Sequence, residues 1–326
     1  MANTKTREAG AVLGAGAPEA MVLALESDVG WTAQARFARS VASAIRGHLP
    51  FGRYFEAGRR ARRLGAAEGA IERATWDWME TSLHPLHGFL RGLDDPRSVV
   101  DRLNAFNVRD LGEAWDGERE KHLVRGGDTG RETGQETGPP RWALTSGSGE
   151  FRLYACRVSP DGFDDPEGCQ AASLASITFL VEAARRRAAG ALEGPKTLSG
   201  VARELGVERT AAAEAALVFE SEGSMSVEDL AKRLGCGKRS LERELQAVGL
   251  TAGALRLSSM IVGATASLHS SESLTEISAK HGFADLAHMT RAFKAACGMA
   301  PSALRGRAPS AGGSSLFVAA VPNKIR

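Results

Sequence analysis

Two stretches of this chain, one beginning at Ser226 and the other at Ser273, carry the same ordered set of signals, and this repetition restricts the fold more than any other feature. In SVEDLAKRLGCGKRSLERELQAVG, Ser226 can cap a helix, and Asp229 three residues on makes a variant of the capping box. Leu230, Ala231 and Leu234 form an apolar stripe, Gly235 ends the helix, and a second helix starts near Gly237 or Lys238 with Leu241 and Leu245 as its core contacts. In SESLTEISAKHGFADLAHMTRAFKAACG, Ser273 and Glu276 form an S-x-x-E capping box, Ile277 is the apolar anchor and Gly282 makes the turn. Phe283 plugs the angle between the helices, Asp285 caps the second, and Leu286, Met289, Ala292 and Phe293 supply its apolar face. Each stretch therefore reads as a helix, a glycine turn and a second helix crossing the first steeply, with the polar face of the second left free.

The chain has 326 residues, which at roughly 100 to 200 residues per domain predicts two or three domains. Hydrophobic residues make up 43% and charged residues 25%, which excludes wholesale disorder, and no apolar run approaches the roughly 20 residues of a membrane-spanning helix. The first twenty residues lack the apolar stretch and basic start of a secretory signal, so residues 1–20 read as a flexible tail. Cys156, Cys169, Cys236 and Cys297 show no C-x-x-C spacing, as expected of reduced thiols in the cytoplasm. The formal net charge of +2 hides an uneven distribution. Between Ser226 and Arg307 fall 11 of the 41 Lys+Arg and 7 of the 39 Asp+Glu, a local balance of +4 against −2 elsewhere. The positive end is the one carrying the paired helices, as expected if it meets a polyanion.

The first two hundred residues read as one helix-rich α+β domain with a small sheet. Phe37, Val41, Ala44 and Ile45 share one helical face, and Ile71, Thr75, Trp78, Met79, Ser82 and Leu83 make a second stripe before Pro85. Arg141–Leu144 and Phe151–Val158 read as strands joined by a hairpin across Ser146–Gly149. A helix follows from about Gln170 to Arg187, with Leu174, Ile177, Val181 and Ala184 inward and Arg185, Arg186 and Arg187 in its last turn, where cations suit the helix dipole. Residues 125–140, a run of Gly, Thr and charge, read as a mobile loop, and the segment from Ser159 as a loop unsuited to the core. Trp31, Trp76, Trp78, Trp115 and Trp142 all fall in this half, which predicts an aromatic core and bears on any pocket there.

No enzymatic chemistry assembles. His84 and His87 in HPLH have a spacing that could ligate a metal, and Cys156 with Cys169 could add thiolates. Pro85 sits between the histidines and no clear fourth ligand is evident, so core or surface histidines are the better reading. No glycine-rich phosphate loop follows a strand, and neither G-x-S-x-G nor a triad can be found. The expectation is a non-enzyme with no metal and no cofactor.

Ile277, the Gly282-Phe283 pair, Arg291, Phe293-Lys294, Gly298, Pro301 and the closing Arg305 together resemble the signature of the AraC/XylS family of bacterial transcription regulators. The resemblance covers roughly 210–307 and implies an all-α domain of two helix-turn-helix units joined by a long helix, which place two recognition helices in successive major grooves. The joining helix would run from about Ala252 to Leu268, which at about 1.5 Å per residue spans roughly 25 Å and suits units docked about 34 Å apart. By position, the base-facing residues it implies are Arg239, Glu242 and Arg243 in the first unit and Leu286, Ala287, Thr290 and Arg291 in the second. The backbone contacts it implies are Lys238, Ser240, His288 and Lys294. The structural core of the units comprises Leu230, Leu234, Leu241, Leu245, Ile277, Gly282, Phe283, Phe293 and Pro301. Arginine can read guanine bidentately, glutamate can accept from cytosine N4, and Leu286 and Ala287 can pack on thymine methyl groups. The competing readings are a solvated face with an Arg239–Glu242 pair, a core role for Leu286, and a structural salt bridge from Arg291 to Glu276.

The first unit departs from the pattern. Leu245 stands where the family usually has Phe, and the joining helix carries Gly253 and Gly263 in place of the usual proline, tyrosine and arginines. Each interior glycine is expected to cost roughly 0.5 to 1 kcal/mol relative to alanine. The stretch Thr197–Leu217 also scans as helix, turn and helix, but its second helix lacks basic or amide residues beyond Arg209, so it reads as scaffold supporting the first unit.

The expected organisation is a tail at 1–20, a sensor or dimerisation domain at 21–195, a connector at 196–209, the DNA-binding domain at 210–307 and a tail at 308–326. The implied partners are double-stranded DNA, RNA polymerase, a small-molecule effector and a second copy of the chain, in a bacterial cytoplasm and on the nucleoid when bound, with no membrane. The alternative from a different class is an architectural or protein-interaction module built on a degenerate DNA-binding domain.

Overall fold

The computed structural model describes residues 32–45, 69–103, 167–191 (side chains from 175) and 195–306, together with the backbone of short strand segments at 10–11, 49–50, 141–144 and 151–154. The described part is mostly helix. In chain order the helices are α1 (Ala33–Ile45), α2 (Ala70–Thr81), α3 (Pro85–Arg91), α4 (96–103) and α5 (Glu167–Ala188). They continue with α6 (Leu198–Glu204), α7 (Ala211–Glu222), α8 (Val227–Arg233), α9 (Lys238–Ala247) and α10 (Ala252–Ser267), then α11 (Leu274–Lys280), α12 (Leu286–Cys297) and α13 (Pro301–Arg305).

The expected amino-terminal stripes form helices, but α2 ends at Thr81, where the chain turns extended, so Ser82 and Leu83 of the second stripe lie beyond it. Phe37, Val41 and Ala44 are buried on α1, Thr75 and Met79 on α2, and Pro85 opens α3 as its first residue, where a missing N–H costs nothing. The small sheet expected for this half falls on segments whose side chains lie outside the described residues; the backbone of Arg141–Leu144 runs antiparallel to that of Phe151–Tyr154. The tails apart from the backbone at 10–11, the 125–140 loop, the Ser146–Gly149 turn, Cys156 and the side chain of Cys169 also lie outside the described residues.

Two hydrophobic cores organise the described residues, and each is shared between the amino-terminal helices and one helix-turn-helix unit. One gathers Met79, Leu86, Phe89 and Leu90 with Ile177 and Leu180 of α5, and with Ile277, Phe283, Met289 and Phe293 of the second unit. The other gathers Phe37, Val41 and Leu83 with Leu198, Val201 and Phe219 of the supporting helices and with Leu230, Leu241 and Leu245 of the first unit. The joining helix α10 serves both, giving Met260, Ile261 and Ala264 to the first core and Ala252, Leu255 and Val262 to the second. A helix apolar on most of its circumference is stable only when covered on most of it. Truncating a fully buried position such as Leu255 or Ile261 to alanine is therefore expected to cost about 2–5 kcal/mol.

The stretch Thr197–Leu217 forms α6 and part of α7, which share a core with the first unit. Thr197 and Thr210 cap α6 and α7, each accepting from the backbone N–H three residues on, and the Glu220 carboxylate of α7 accepts from the N–H groups of Leu198 and Ser199. Gly263 has a different meaning from the one its propensity predicts. A Cβ there would stand 2.5 Å from His281 Nδ1, so the joining helix needs glycine where the His281 imidazole presses against it. A Cβ on Gly253 would meet only Thr251 Oγ1, at 3.8 Å.

Candidate nucleic-acid interface

In the first unit the Ser226 hydroxyl accepts from the N–H of Asp229 at 3.1 Å and donates to the Asp229 carboxylate at 2.7 Å. That hydroxyl bond, helped by Lys232, holds the Asp229 carboxyl below its ordinary value. The chain turns at Gly235, φ +68°, a conformation glycine adopts without steric cost. α9 then buries Leu241 and Leu245, and with 3.6 residues per turn this leaves Arg239 and Arg243 exposed on the opposite side and Glu242 half-buried at the edge of the buried face. Among the described residues neither Arg239 nor Arg243 makes an ion pair, so the competing Arg239–Glu242 pair is not formed. Lys238 and Ser240 are engaged with acids instead: Lys238 Nζ lies 3.3 Å from Glu228 Oε1, and the Ser240 hydroxyl donates to Glu244 Oε1 at 3.2 Å. Leu230 is buried and Leu234 packs half-buried against the same core.

The second unit is more tightly closed. The Ser273 hydroxyl accepts from the Glu276 N–H at 3.2 Å while Glu276 Oε2 accepts from the Ser273 N–H at 2.7 Å, a reciprocal capping box. The bond from the Ser273 N–H, and then the Ser273 hydroxyl beside it, hold the Glu276 carboxyl below its ordinary value. Glu276 is thus spent on the cap, and Arg291 stands exposed with no ion pair among the described residues. Gly282 turns the chain at φ +78°, Phe283 is buried, and Asp285 caps α12 by accepting from the His288 N–H. Ala287, Arg291 and Lys294 are exposed, whereas Leu286 and Thr290 are half-buried and Leu286 packs against the core. Leu286 therefore carries part of the core role weighed for it. His288 Nδ1 accepts from the Ala284 N–H at 3.3 Å and its ring meets Phe283 edge-on at 5.4 Å, so the neutral imidazole carries its hydrogen on Nε2.

Two features escaped the sequence. Arg305, seen only as a closing signature residue, donates to the carbonyls of Leu268, Glu272 and Ser267 and so clamps the end of the joining helix to α13. Arg102 of α4 reaches the carbonyls of Leu304 and Arg305 at 3.3 and 3.4 Å, fastening an amino-terminal helix to the same corner. Nothing in local periodicity points to either contact, since the partners of Arg102 lie about two hundred residues away. Among the described residues no group of three or more His, Cys, Asp or Glu side chains is placed to hold a metal, and no single helix is long and apolar enough to cross a membrane. His84 and His87 are buried with ring centroids 4.8 Å apart, and His87 Nδ1 is hydrogen-bonded to the Ser82 hydroxyl.

No curated protein and no solved structure matches the chain. Residues 230–307 match the family model described as a helix-turn-helix domain. That span takes in α9 to α13 and the apolar anchors of both units. The carboxy-terminal domain of this chain is accordingly a DNA-binding domain of the AraC/XylS type.

Proposed function

We propose that the protein is a sequence-specific transcription regulator whose helices α9 and α12 enter successive major grooves of double-stranded DNA. The observation that carries this reading is the state of Arg239 and Arg243. They are exposed and unpaired on a helix whose opposite face is buried, so their donors are available without breaking any protein contact. Arg239 and Arg243 would read guanine and Glu242 cytosine. In α12, Ala287 and the exposed edge of Leu286 would pack on thymine methyls, with Thr290 and Arg291 reading nearby. Lys294 and His288 Nε2 would meet phosphates. Lys238 and Ser240 would do so on leaving Glu228 and Glu244.

The amino-terminal half is the regulatory part in this proposal, answering to a small molecule, a partner such as RNA polymerase, or a second copy of the chain. Its support is the shared packing: α1 to α5 contribute to the same two cores as the helix-turn-helix units, so any rearrangement there changes how the units are held.

Selection of binding sites from random duplexes, followed by a salt titration on the selected site, tests the reading. A regulator contacting about six phosphates should show a preferred sequence and a log–log salt slope near −5. A protein-interaction module would show neither, and that result would reject the proposal.

A further inference from the structure

A cleft of about 310 Å³ lies where α7, α10 and the end of α11 meet, near the lower end of the roughly 300–1,000 Å³ typical of small-molecule sites. Its floor is carbon, supplied by Phe219, Met260 and Val262, and its charged groups are Lys196, Arg256, Lys280 and Glu220. Glu220 is committed to α6, both its oxygens accepting backbone N–H groups of that helix's first turn, where the helix dipole partly offsets its charge. Lys196 and Lys280 pair with Glu204 and Glu272, acids that do not line the cleft. Arg256 is exposed and has no ion pair among the described residues. His281 closes one wall. It is held against Gly263 and hydrogen-bonded to the Ser267 hydroxyl at 2.8 Å, and burial followed by the Lys280 charge, against the opposing charge of Glu272, keeps it below its ordinary pKa.

An apolar floor beneath one uncommitted guanidinium has a definite chemical complement. We infer that this cleft binds a small organic acid, its carboxylate on Arg256 and its apolar body on Phe219, Met260 and Val262. Arginine suits the role because its planar donors meet a carboxylate in pairs. An occupant would touch the supporting helix of the first unit, the joining helix and the first helix of the second unit at once. It would thereby set how the two units are held relative to each other. This last consequence rests on the proposed reading of DNA; the binding site itself does not.

Calorimetry on the full chain without DNA tests the site, using benzoate, octanoate, neutral benzamide and inorganic phosphate as probes. One of the two organic acids should bind, and benzamide and phosphate should bind far more weakly. Arg256→Gln should weaken the acid about tenfold or more while leaving the melting midpoint of the free protein unchanged, since Arg256 supports nothing else. Ser259→Leu, which narrows the cleft from α10, should abolish binding. The assignment is overturned if neither acid binds, if phosphate binds as well as the acids, or if Arg256→Gln leaves their affinity unchanged. It is also overturned if Arg256→Gln lowers the salt slope of DNA binding by about one, which would place Arg256 on the phosphate backbone. In a gel-shift arm, saturating acid should change the affinity for the selected duplex by several-fold. An unchanged affinity with intact acid binding would reject the coupling alone, whereas absence of any DNA binding would reject the regulator reading and not the site.

Discussion

His269 lies flat against Phe89, the ring centroids 4.5 Å apart and the planes 9° from parallel, and its Nε2 sits 2.9 Å from the Phe89 carbonyl oxygen. Phe89 belongs to α3 and His269 follows α10, so this stack is a seam between the amino-terminal half and the helix that joins the DNA-binding units. Arg102 reinforces it, its guanidinium 5.7 Å over the Phe89 ring. The approach is so close that Gly92 cannot be replaced without moving the imidazole: a Cβ there would stand 2.1 Å from His269 Nε2.

Gly92→Ala is therefore expected to destabilise the protein by about 1–3 kcal/mol, the usual range for overpacking. Gly92 has φ −72°, which alanine adopts freely, so the loss comes from the side chain and not from the backbone. In a His269→Ala background the same substitution should cost at least about 1 kcal/mol less, a coupling readable by urea denaturation of the four proteins of the cycle. Additive effects would mean that the seam can part without loss.

The pH dependence follows from three buried or half-buried histidines. Burial lowers His87 most, with His84 and Arg91 adding to it. Burial also lowers His269 and His281, opposed in His269 by its bond to the Phe89 carbonyl and the Asp94 charge and helped by Arg187 and Arg102. A base whose folded pKa is depressed takes its proton more readily in the unfolded chain. Stability is thus fully present above the unfolded value of about 6.5 and is lost as pH falls from there toward the depressed folded values. Urea midpoints should be level between about pH 7.5 and 8 and fall between about pH 6.5 and 5. His87→Gln and His269→Gln should each flatten part of that fall, and a midpoint that rises on acidification would contradict the assignment.

The two glycines of α10 should respond in opposite directions. At Gly253 an added methyl meets only Thr251 Oγ1 at an ordinary distance, so Gly253→Ala should stabilise the protein by about 0.5–1 kcal/mol through the unfolded chain. At Gly263 the same methyl would collide with the His281 imidazole, so Gly263→Ala should destabilise it despite the better helix propensity. Thermal midpoints of the two variants decide the matter, and equal shifts would show that His281 yields freely.

These pairs mark what the sequence could and could not convey. The Ser273–Glu276 box, the Gly282 turn and the Asp285 cap are complete within a few residues, so spacing alone announces them. The apolar stripes announce which face of α9 and α12 turns inward, and with it that Arg239, Arg243 and Arg291 face outward. The stacking of His269 on Phe89 and the reach of Arg102 to Leu304 join residues 180 and 202 positions apart, and no local pattern encodes a partner at that distance. Gly263 misleads for the same reason, since propensity registers its cost and not the ring it makes room for. Arg256 left a faint trace, a single cation within the apolar run ALRLSSMIVGA, which only the folded cleft turns into a candidate site.

Base reading and backbone holding separate in a last pair of substitutions. Arg243 is exposed on α9 and unpaired among the described residues, so Arg243→Ala removes no protein contact and its effect on DNA binding is read directly. If it pairs with guanine, the loss should be about 1–3 kcal/mol on the selected site and much less on random duplex, with relaxed choice at one base pair. Lys294 is exposed on α12, and in the proposed docking it would meet phosphate. Lys294→Ala should weaken selected and random duplexes alike and lower the salt slope by about one. Fluorescence anisotropy on both duplexes across a salt series distinguishes the two signatures. Equal losses on selected and random DNA for Arg243→Ala would remove it from base reading and leave α9 as a second electrostatic contact.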